Sequence, residues 1–269
     1  MKFPLRRRSR AAAIISAAVI GVALLTTPSL AQAAAPDYVA LGDSYASGVG
    51  TRTYIASSGA CQRSLQSYPY VDAARIGANL TSLACSGARV ADVTANQLAP
   101  LNSGIEYVTV QVGGNDAGFS SVITTCAQPA WLSNCDGAIN TAQATINNTL
   151  PSRLNGLYAT IRSRATTAKV TVVGYPRLFN GIDCNAGTFF SSAEMTRLNQ
   201  TADLLNSKLS AAAGAAGFHF VNPTSAFIGH AVCGSPEWLN GLSNPVSESY
   251  HPNATGQTGF ANLVDDYLT

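Results

Sequence analysis

An apolar run near the start of the chain ends in a turn that bears a serine. Residues Tyr38-Val-Ala-Leu41 have the composition of a buried β-strand, and Gly42-Asp43-Ser44 follow at once. A strand that is apolar throughout must be covered on both faces, which is typical of parallel sheets in α/β proteins. Open sheets of that kind bind ligands beyond the carboxyl ends of their strands. The run therefore predicts that the hydroxyl group of Ser44 lies where such a sheet would carry an active site.

Further apolar runs of strand length alternate with longer segments that have helical periodicity. The predicted strands are 38–41, 80–84, 108–112, 170–173 and 218–221. The predicted helices are 70–77, 138–165, 193–213 and 253–268, and Pro151 is expected to kink or divide the second of these. Such alternation predicts an α/β fold in which a parallel five-stranded sheet lies between two layers of helices, a three-layer α/β/α sandwich. We expect the segment 48–59 to be a loop beside the site.

Residues 1–33 have the three parts of a secretory signal peptide. Five basic residues within the first ten precede an apolar segment at 11–25, and Ala31-Gln-Ala33 is a small-residue cleavage site. A membrane anchor is the alternative, but this apolar segment is shorter than the ~20 residues that a spanning helix needs. We therefore expect residues 1–33 to be removed on export, the protein to be extracellular, and residues 34–269 to form one domain.

The charge of the chain changes sign when the predicted signal peptide is removed. Five of the 16 basic residues lie within it, whereas all 14 acidic residues lie beyond it, which leaves a net charge of about −3 with histidine neutral. The basic residues that remain form no stripe that would indicate nucleic-acid binding. We expect a monomer that has no nucleic-acid partner.

Six cysteines lie in the predicted exported part of the chain. An even number in an oxidising compartment favours three disulfides, although six cysteines permit 15 connectivities. We favour pairing in sequence order, which would tie loops near the expected site. A zinc site is the competing interpretation, but no Cys-x-x-Cys pair supports it. The favoured pairs are Cys61–Cys85, Cys126–Cys135 and Cys184–Cys233.

A serine hydroxyl becomes an effective nucleophile only when a neighbouring base removes its proton. The domain offers three histidines as that base. His219 alternates with phenylalanines inside a predicted strand, which favours a structural role, and His230 lies in a loop where it could line a pocket. His251 precedes Pro252 at a predicted helix start, in the loop that follows the fifth strand. It is therefore the best candidate to reach Ser44 at the same edge of the sheet.

Two other turns at strand ends could donate hydrogen bonds to an oxyanion. Gly113-Gly-Asn115-Asp116 follows the third predicted strand, and Cys85-Ser-Gly87-Ala-Arg89 follows the second. The amide of Asn115 and the backbone N–H of Gly87 can each donate to a tetrahedral oxyanion, as can the backbone N–H of Ser44. Asp43 and Asp116 lie beside these turns, and we expect them to hydrogen-bond loop backbone rather than to titrate in catalysis.

Together these segments resemble the GDSL family, also called SGNH hydrolases. The resemblance runs from Leu41-Gly-Asp-Ser44 to Glu248-Ser-Tyr-His251-Pro-Asn253 and covers nearly all of the predicted domain. It implies a flavodoxin-like three-layer fold and a serine ester hydrolase. It also implies that Ser44 is the nucleophile, that His251 is the base, and that Ser44, Gly87 and Asn115 form the oxyanion hole.

The chain departs from the family pattern at two positions. Tyr45 replaces the leucine of the name motif, which changes the wall beside the nucleophile. Glu248 occupies the place, three residues before the histidine, where the family usually has aspartate. The imidazole could instead be oriented by the main-chain carbonyl of Ser249, which would give a Ser–His dyad. Both orienting groups stay open, with the dyad slightly favoured.

Several other catalytic motifs do not occur in the sequence. The Gly-x-Ser-x-Gly elbow of α/β-hydrolases is broken because Ala46 occupies the second glycine position. The phosphate-binding Gly-x-x-x-x-Gly-Lys motif and the metal-binding His-Glu-x-x-His motif are also missing. We therefore expect no cofactor and no metal.

The resemblance is strongest to secreted bacterial lipases and phospholipases A1 of this family, which implies a lipid or other ester substrate and transient contact with a lipid surface. Two alternatives remain, a carbohydrate acetylesterase on the same fold and a secreted binding module without catalysis. We expect activity to rise as His251 deprotonates at neutral to alkaline pH. Apolar residues in loops at the expected edge could line an acyl groove or pack around disulfides: Phe119, Trp131, Leu178, Phe179, Phe189, Phe190, Phe227 and Trp238.

Overall fold

Five parallel strands form the centre of the fold in the computed structural model, which describes residues 1, 4 and 34–268. The predicted signal peptide therefore lies almost wholly outside the described residues, and the fold below is that of the unit 35–269. The strand order is β2-β1-β3-β4-β5, and every pair is parallel. The strands are β1 Asp37–Gly42, β2 Asn79–Ser82, β3 Tyr107–Gln111, β4 Lys169–Val173 and β5 His219–Val221.

The helices are α1 Ser44–Ser47, α2 Tyr68–Ile76, α3 Val90–Asn96, α4 Phe119–Cys126, α5 Cys135–Asn148, α6 Leu150–Arg164, α7 Ser192–Ala215 and α8 Ala254–Val264, with 3₁₀ turns at Ala56–Cys61, Val246–Glu248 and Asp265–Tyr267. Apart from the short α1, these helices pack in two groups, as right-handed crossovers in this strand order require. Helices α2 and α8 pack against each other, whereas α3, α4, α5, α6 and α7 form a second connected group. The predicted three-layer α/β/α sandwich is confirmed. No helix in the described part of the chain is both long and apolar enough to span a bilayer.

Pro151 divides the long helix that the periodicity predicts. Helix α5 ends at Asn148 and α6 begins at Leu150, so that the proline lies in the first turn of α6. A proline is tolerated there because the backbone N–H groups of a first turn have no intrahelical acceptor. Helices α1, α3 and α4 were not predicted, since four to eight residues are too few to display a helical period.

The edge strand β2 differs from the prediction of strands covered on both faces. Its side chains alternate between exposed and half-buried positions. By contrast, the residues of β1 after Asp37 are all buried. Because β2 has a neighbour on one side only, it needs less apolar covering than the strands in the centre of the sheet.

The end of β1 is locked against β3 by the conformation of Gly42. This glycine has φ = +141°, and a Cβ placed on it would lie 2.3 Å from the carbonyl oxygen of Gln111, so that no other residue fits without displacing β3. The Asp43 N–H then donates to that same carbonyl at 2.9 Å. The side chain of Gln97 exchanges two hydrogen bonds with the Gly42 peptide, at 2.8 and 2.9 Å. The turn that carries Ser44 is thereby held between β1 and β3, where the strand order reverses direction.

The structure contains three disulfides, and they are the pairs favoured by the sequence order: Cys61–Cys85, Cys126–Cys135 and Cys184–Cys233. The first joins the connection after β1 to the one after β2. The second joins the end of α4 to the start of α5, and the third joins the connections after β4 and β5. Each cross-link typically contributes about 2–4 kcal/mol by restricting the unfolded chain.

Candidate active site

Ser44 is the first residue of the short helix α1, directly beyond the carboxyl end of β1. Asp43 caps this helix, because its Oδ1 accepts a hydrogen bond from the Tyr45 N–H at 3.0 Å. Asp43 Oδ2 accepts a second bond, from the Tyr175 hydroxyl at 2.5 Å. Both carboxyl oxygens are thus bonded, one to the backbone of α1 and one to a tyrosine hydroxyl, where the sequence predicted a bond to loop backbone. These contacts fix the turn that presents the Ser44 hydroxyl.

His251 lies against Ser44 although 207 residues separate them in sequence. The imidazole Nε2 is 2.8 Å from Ser44 Oγ, and its Nδ1 is 2.9 Å from the carbonyl oxygen of Ser249. Since a carbonyl can only accept, Nδ1 carries the proton and Nε2 accepts the hydrogen bond from the Ser44 hydroxyl. The structure therefore brings together the proposed nucleophile and base in the orientation that proton transfer requires.

The loop that holds His251 is anchored by its own backbone. The Asn240 N–H donates to the His251 carbonyl and the Tyr250 N–H donates to the Asn240 carbonyl, both at 2.9 Å. The Ser249 Oγ accepts from the Ser243 N–H at 2.9 Å. These bonds hold the Ser249 carbonyl in place on the far side of the imidazole ring.

Tyr45 connects the two halves of the site, which its place in the sequence did not reveal. Its hydroxyl donates to the Tyr250 carbonyl at 2.7 Å, and its ring centroid lies 5.2 Å from that of His251. The family leucine could make the packing contact but not the hydrogen bond. In this chain the residue after Ser44 therefore bonds directly to the residue before His251.

Glu248 does not orient the imidazole in this structure. It is buried, and its Oε1 accepts a hydrogen bond from the Tyr54 hydroxyl at 2.7 Å. Its Oε2 lies 3.4 Å from Arg52 Nε, close enough for an ion pair but without hydrogen-bond geometry. The carboxylate thus faces the loop that follows α1. Of the two orienting groups that the sequence left open, the Ser249 carbonyl is the one in contact with His251.

We expect the Glu248→Gln variant to retain most of its activity, with kcat/KM lowered less than about tenfold. Glutamine keeps an oxygen that can accept from Tyr54, and the ion pair that it loses involves a mostly exposed Arg52, a kind of pair that usually contributes under ~1 kcal/mol. The Arg52→Gln variant, which breaks the same ion pair from the other side, is the matched control. Steady-state kinetics on a soluble ester measure both, and a loss of several hundredfold in Glu248→Gln alone would assign the orienting role to the carboxylate.

The three hydrogen-bond donors predicted for the oxyanion hole lie on the turns that follow β1, β2 and β3. Gly87 has φ = +80°, and within the described chain neither its N–H nor that of Ser44 donates to another group. The Asn115 side chain follows β3, and its Nδ2 donates to the Ala88 carbonyl at 3.1 Å. One of its two amide hydrogens is thus fixed beside the Gly87 turn while the other stays available. The Cys61–Cys85 disulfide holds this turn from its other side.

Burial changes the protonation of two groups in the site. It lowers the pKa of His251 to about 4, although the hydrogen bond to the Ser249 carbonyl acts in the opposite direction. Burial also raises the pKa of Asp43 to about 7, in spite of the hydrogen bonds from Tyr175 and from the Tyr45 N–H. The imidazole is therefore neutral over the whole neutral range, which is the state a general base needs.

An apolar pocket opens beside Ser44 and Asn115. Its walls come from both of these turns, from Tyr175 and Leu178 after β4, and mainly from three helices. Of its lining residues only Asp43 has a carboxyl group, which is bonded to Tyr175 and to the Tyr45 N–H, and none is Lys, Arg or His. Such a pocket suits an acyl chain better than a sugar. The helical lining residues are Phe119, Val122 and Ile123 of α4, Ala142 and Ile146 of α5, and Leu198, Thr201, Ala202 and Leu205 of α7.

The loop residues proposed for this groove are mostly placed elsewhere. Of the eight, the pocket is lined by Phe119 and Leu178 alone. The others divide into two sets. Trp131 and Phe189 are exposed, whereas four rings pack in the interior: Phe179 and Phe190 beside Tyr250, and Phe227 and Trp238 against each other. Ile146 lies in a segment for which the sequence predicts a helix. That this side of α5 lines the pocket could not be predicted, because it depends on how the helices pack.

The remaining candidate residues are bonded or stacked to groups other than Ser44 and His251. His219 makes a ring contact with Tyr267, and His230 stacks on Trp238 while its Nδ1 bonds the Pro236 carbonyl at 2.7 Å. Asp116 bonds the Val90 N–H and Arg153, both at 2.9 Å. Residues 34–268 contain no group of three His, Cys, Asp or Glu side chains that could hold a metal ion.

Comparisons with known proteins agree with this arrangement. The family described as "GDSL-like Lipase/Acylhydrolase family" matches residues 40–258. Lipase 1 of Streptomyces coelicolor is 43% identical over 261 residues, which cover 94% of this chain and 96% of that protein. The crystal structure of phospholipase A1 from Streptomyces albidoflavus NA297 superposes with a TM-score of 0.82 at 41% identity, covering 87% of this chain and 100% of that one. The extracellular lipase from Streptomyces rimosus gives 0.81 at 43% identity with the same coverage. This chain therefore belongs to the GDSL-like lipase/acylhydrolase family.

Proposed function

We propose that this protein is a secreted carboxylic ester hydrolase that acts on lipid esters, of the lipase or phospholipase A1 type. The observation that carries the proposal is the 2.8 Å contact between Ser44 Oγ and His251 Nε2 at the mouth of an apolar pocket. The relatives support the substrate class, because they are named lipases and phospholipase A1. We propose that the reaction requires no cofactor or metal.

The reaction is an acyl transfer in two steps. Ser44 Oγ attacks the ester carbonyl carbon while His251 Nε2 takes the hydroxyl proton, and the carbonyl oxygen becomes an oxyanion. The tetrahedral intermediate collapses when His251 returns the proton to the departing alcohol, which leaves an acyl group on Ser44. Water then attacks this acyl ester while His251 takes its proton, and His251 returns that proton to Ser44 Oγ as the carboxylic acid is released. The positive charge that the imidazole gains in each step is stabilised by the Ser249 carbonyl at 2.9 Å from Nδ1.

The oxyanion is stabilised by donors that are in place before the substrate binds. We assign this role to the N–H groups of Ser44 and Gly87 and to the amide of Asn115. Two observations support this assignment. Both backbone N–H groups lack an acceptor within the described chain, and the Asn115 amide is oriented by its hydrogen bond to the Ala88 carbonyl. Preorganised donors cost no rearrangement as the charge develops.

We expect the acid limb of the kcat/KM profile to have its midpoint near pH 4. Burial lowers the pKa of His251 from 6.5 to about 4, so that the base is already neutral in mildly acidic solution. The rise in activity that the sequence placed at neutral to alkaline pH is therefore expected at acidic pH. Asp43 titrates nearer 7 and provides the control. If Asp43 governed the profile, the Asp43→Asn variant would lose the limb, whereas we expect it to persist. A wild-type midpoint between 6 and 7 would contradict this assignment.

We expect octanoyl esters to be hydrolysed at least about tenfold more efficiently than acetyl esters of the same alcohol. Each methylene buried in an apolar pocket contributes roughly 0.8 kcal/mol, and only part of that gain is realised in the transition state. The measurement is kcat/KM over a series of p-nitrophenyl esters. Ala202 lines the pocket, so that the Ala202→Leu variant narrows it. This variant should lower kcat/KM for the octanoyl ester and leave kcat/KM for the acetyl ester unchanged. Acetyl far above octanoyl would favour the carbohydrate acetylesterase instead.

Secretion, with residues 1–33 as the signal peptide and 34–269 as the mature domain, is supported by the sequence and by a relative described as an extracellular lipase. The mass of the exported protein tests whether residues 1–33 are removed.

Product analysis on a phospholipid with different acyl chains at its two positions distinguishes a phospholipase A1 from other lipid esterases. A non-catalytic binding module would hydrolyse none of these esters.

A further inference from the structure

Exposed large apolar side chains are concentrated on one kind of connection in this fold. Between residues 35 and 268 there are eight of them. Six lie in segments that run from the carboxyl end of a strand to α2, α7 or α8, and two lie between α4 and α5. In the same range of residues, the segments that return from a helix to a strand contain none. Trp131 and Leu132 lie beyond β3, Ile182 and Phe189 lie beyond β4, and the other four lie beyond β1 or β5. The edge of the sheet that carries Ser44 is therefore also the apolar edge of the domain.

We call four of these side chains the apolar rim: Trp131, Leu132, Phe189 and Leu242. They lie on three loops that contact one another. The Phe189 N–H donates to the Ala127 carbonyl at 3.1 Å, which joins the first two loops. The Leu242 N–H donates to Asn185 Oδ1, also at 3.1 Å, which joins the second and third. Trp131 is 82% exposed and Phe189 54%, so that packing within the protein does not account for them.

Two loops of the apolar rim connect directly to the helices that line the pocket beside Ser44. The loop 127–134 connects α4 to α5, and both helices line the pocket. Its two ends are tied together by the Cys126–Cys135 disulfide, which fixes Trp131 and Leu132 on a short, closed loop. The second loop begins after the pocket residue Leu178 and leads to α7, which is the third pocket helix.

None of the four side chains of the apolar rim is charged, and the segments 127–134, 184–191 and 238–247 contain no Asp, Glu, Lys or Arg. The second loop contains one charged residue, Asp183, whose carboxylate is engaged inside the loop, where it accepts from the Thr188 hydroxyl at 2.7 Å and from the Phe190 N–H at 3.0 Å. A basic surface would indicate attraction to anionic lipids, whereas a neutral one with exposed Trp, Phe and Leu matches an uncharged or zwitterionic interface. Tryptophan in particular favours the boundary between lipid headgroups and acyl chains.

We propose that the apolar rim docks the protein on the surface of zwitterionic phospholipid aggregates, with the pocket mouth facing the lipid. This inference rests on the proposed function, since it assigns the surface from which that function draws its substrate. Insertion of Trp131, Leu132 and Phe189 among the acyl chains would place the ester groups at the level of Ser44. Docking then depends on apolar burial and not on charge.

The experiment measures binding to phosphatidylcholine vesicles by co-sedimentation, with the Ser44→Ala variant as background so that no lipid is consumed. We expect this protein to bind, with 1 M NaCl changing the partition coefficient less than about twofold because the rim is uncharged. Adding Trp131→Ser and Phe189→Ser should lower the partition coefficient by about 30-fold or more, since two large side chains no longer enter the lipid. The control Leu80→Ser removes apolar surface from the edge strand β2 and should leave binding unchanged.

Catalysis on a soluble ester separates this inference from the proposed function. With Ser44 intact, the Trp131→Ser/Phe189→Ser variant should hydrolyse p-nitrophenyl butyrate within about twofold of the wild-type rate and lose activity on vesicles alone. If the wild type hydrolyses no ester, the proposed function fails, while vesicle binding by Ser44→Ala still tests the rim. Three results would overturn the docking proposal: binding that survives the double substitution, binding that requires anionic lipid and disappears in salt, or a dimer in sedimentation velocity that the double substitution dissociates.

Discussion

Replacing Ser44 with alanine is expected to lower kcat/KM for ester hydrolysis by about 10⁴-fold or more. The substitution removes the hydroxyl that lies 2.8 Å from His251 Nε2, and with it the covalent route through an acyl intermediate. Water would have to attack the ester directly in the same site, without the positioning that a side chain provides. The residual rate would then reflect only substrate binding and the oxyanion donors. Initial rates on p-nitrophenyl octanoate with purified protein measure the loss.

Ser47 offers a matched control for this variant within the same helix. It is buried like Ser44, and its hydroxyl donates to the Ser44 carbonyl at 3.2 Å rather than facing His251. Ser47→Ala should therefore change the rate only a few-fold. The double variant Ser44→Ala/His251→Ala should be hardly slower than Ser44→Ala alone, because the two side chains act as one catalytic unit. An equal loss in Ser47→Ala, or fully additive losses in the double variant, would contradict the assignment of the nucleophile.

Much of the fold could be predicted because the central strands are apolar on both faces. The residues of β1 and β3 are nearly all buried, and such runs stand out in a sequence without any knowledge of neighbours. The edge strand β2 is half exposed, which explains why its predicted bounds were shifted towards more apolar residues. Helix α1 has only four residues and could not be recognised from periodicity at all.

The candidate site was predicted residue by residue but not in its detailed geometry. Ser44, Asn115 and His251 were found because each follows the end of a strand. The choice between Glu248 and the Ser249 carbonyl could not be made, because it depends on backbone conformation. Tyr250, between Ser249 and His251, has φ = +60°, which a non-glycine residue adopts uncommonly. The pocket was harder still, since its walls come from helices that are distant in sequence.

Replacing Asn115 with alanine is expected to lower kcat by about 10²–10³-fold while KM changes little. We assign the Asn115 amide to the oxyanion, a charge that exists in the transition state and not in the bound ester. Loss of such a donor therefore reduces the rate of the chemical step and leaves ground-state binding largely intact. The measurement is a full kinetic curve on p-nitrophenyl octanoate for the wild type and the variant. A change confined to KM would show that Asn115 shapes the pocket instead.

The Asn115→Asp variant separates the two roles more sharply, because aspartate has nearly the same shape as asparagine. If the residue only fills space beside Ser44, this variant should work almost as well as the wild type. If it donates a hydrogen bond to the oxyanion, the carboxylate repels that charge and kcat should fall at least as far as in Asn115→Ala. The bond from Asn115 Nδ2 to the Ala88 carbonyl is lost in both variants. In Asn115→Asp a carboxylate oxygen also faces that carbonyl, so that a lower Tm for this variant than for Asn115→Ala measures the repulsion between them. Equal activity of Asn115→Asp and the wild type would remove Asn115 from the oxyanion hole and leave the N–H groups of Ser44 and Gly87 to stabilise the intermediate.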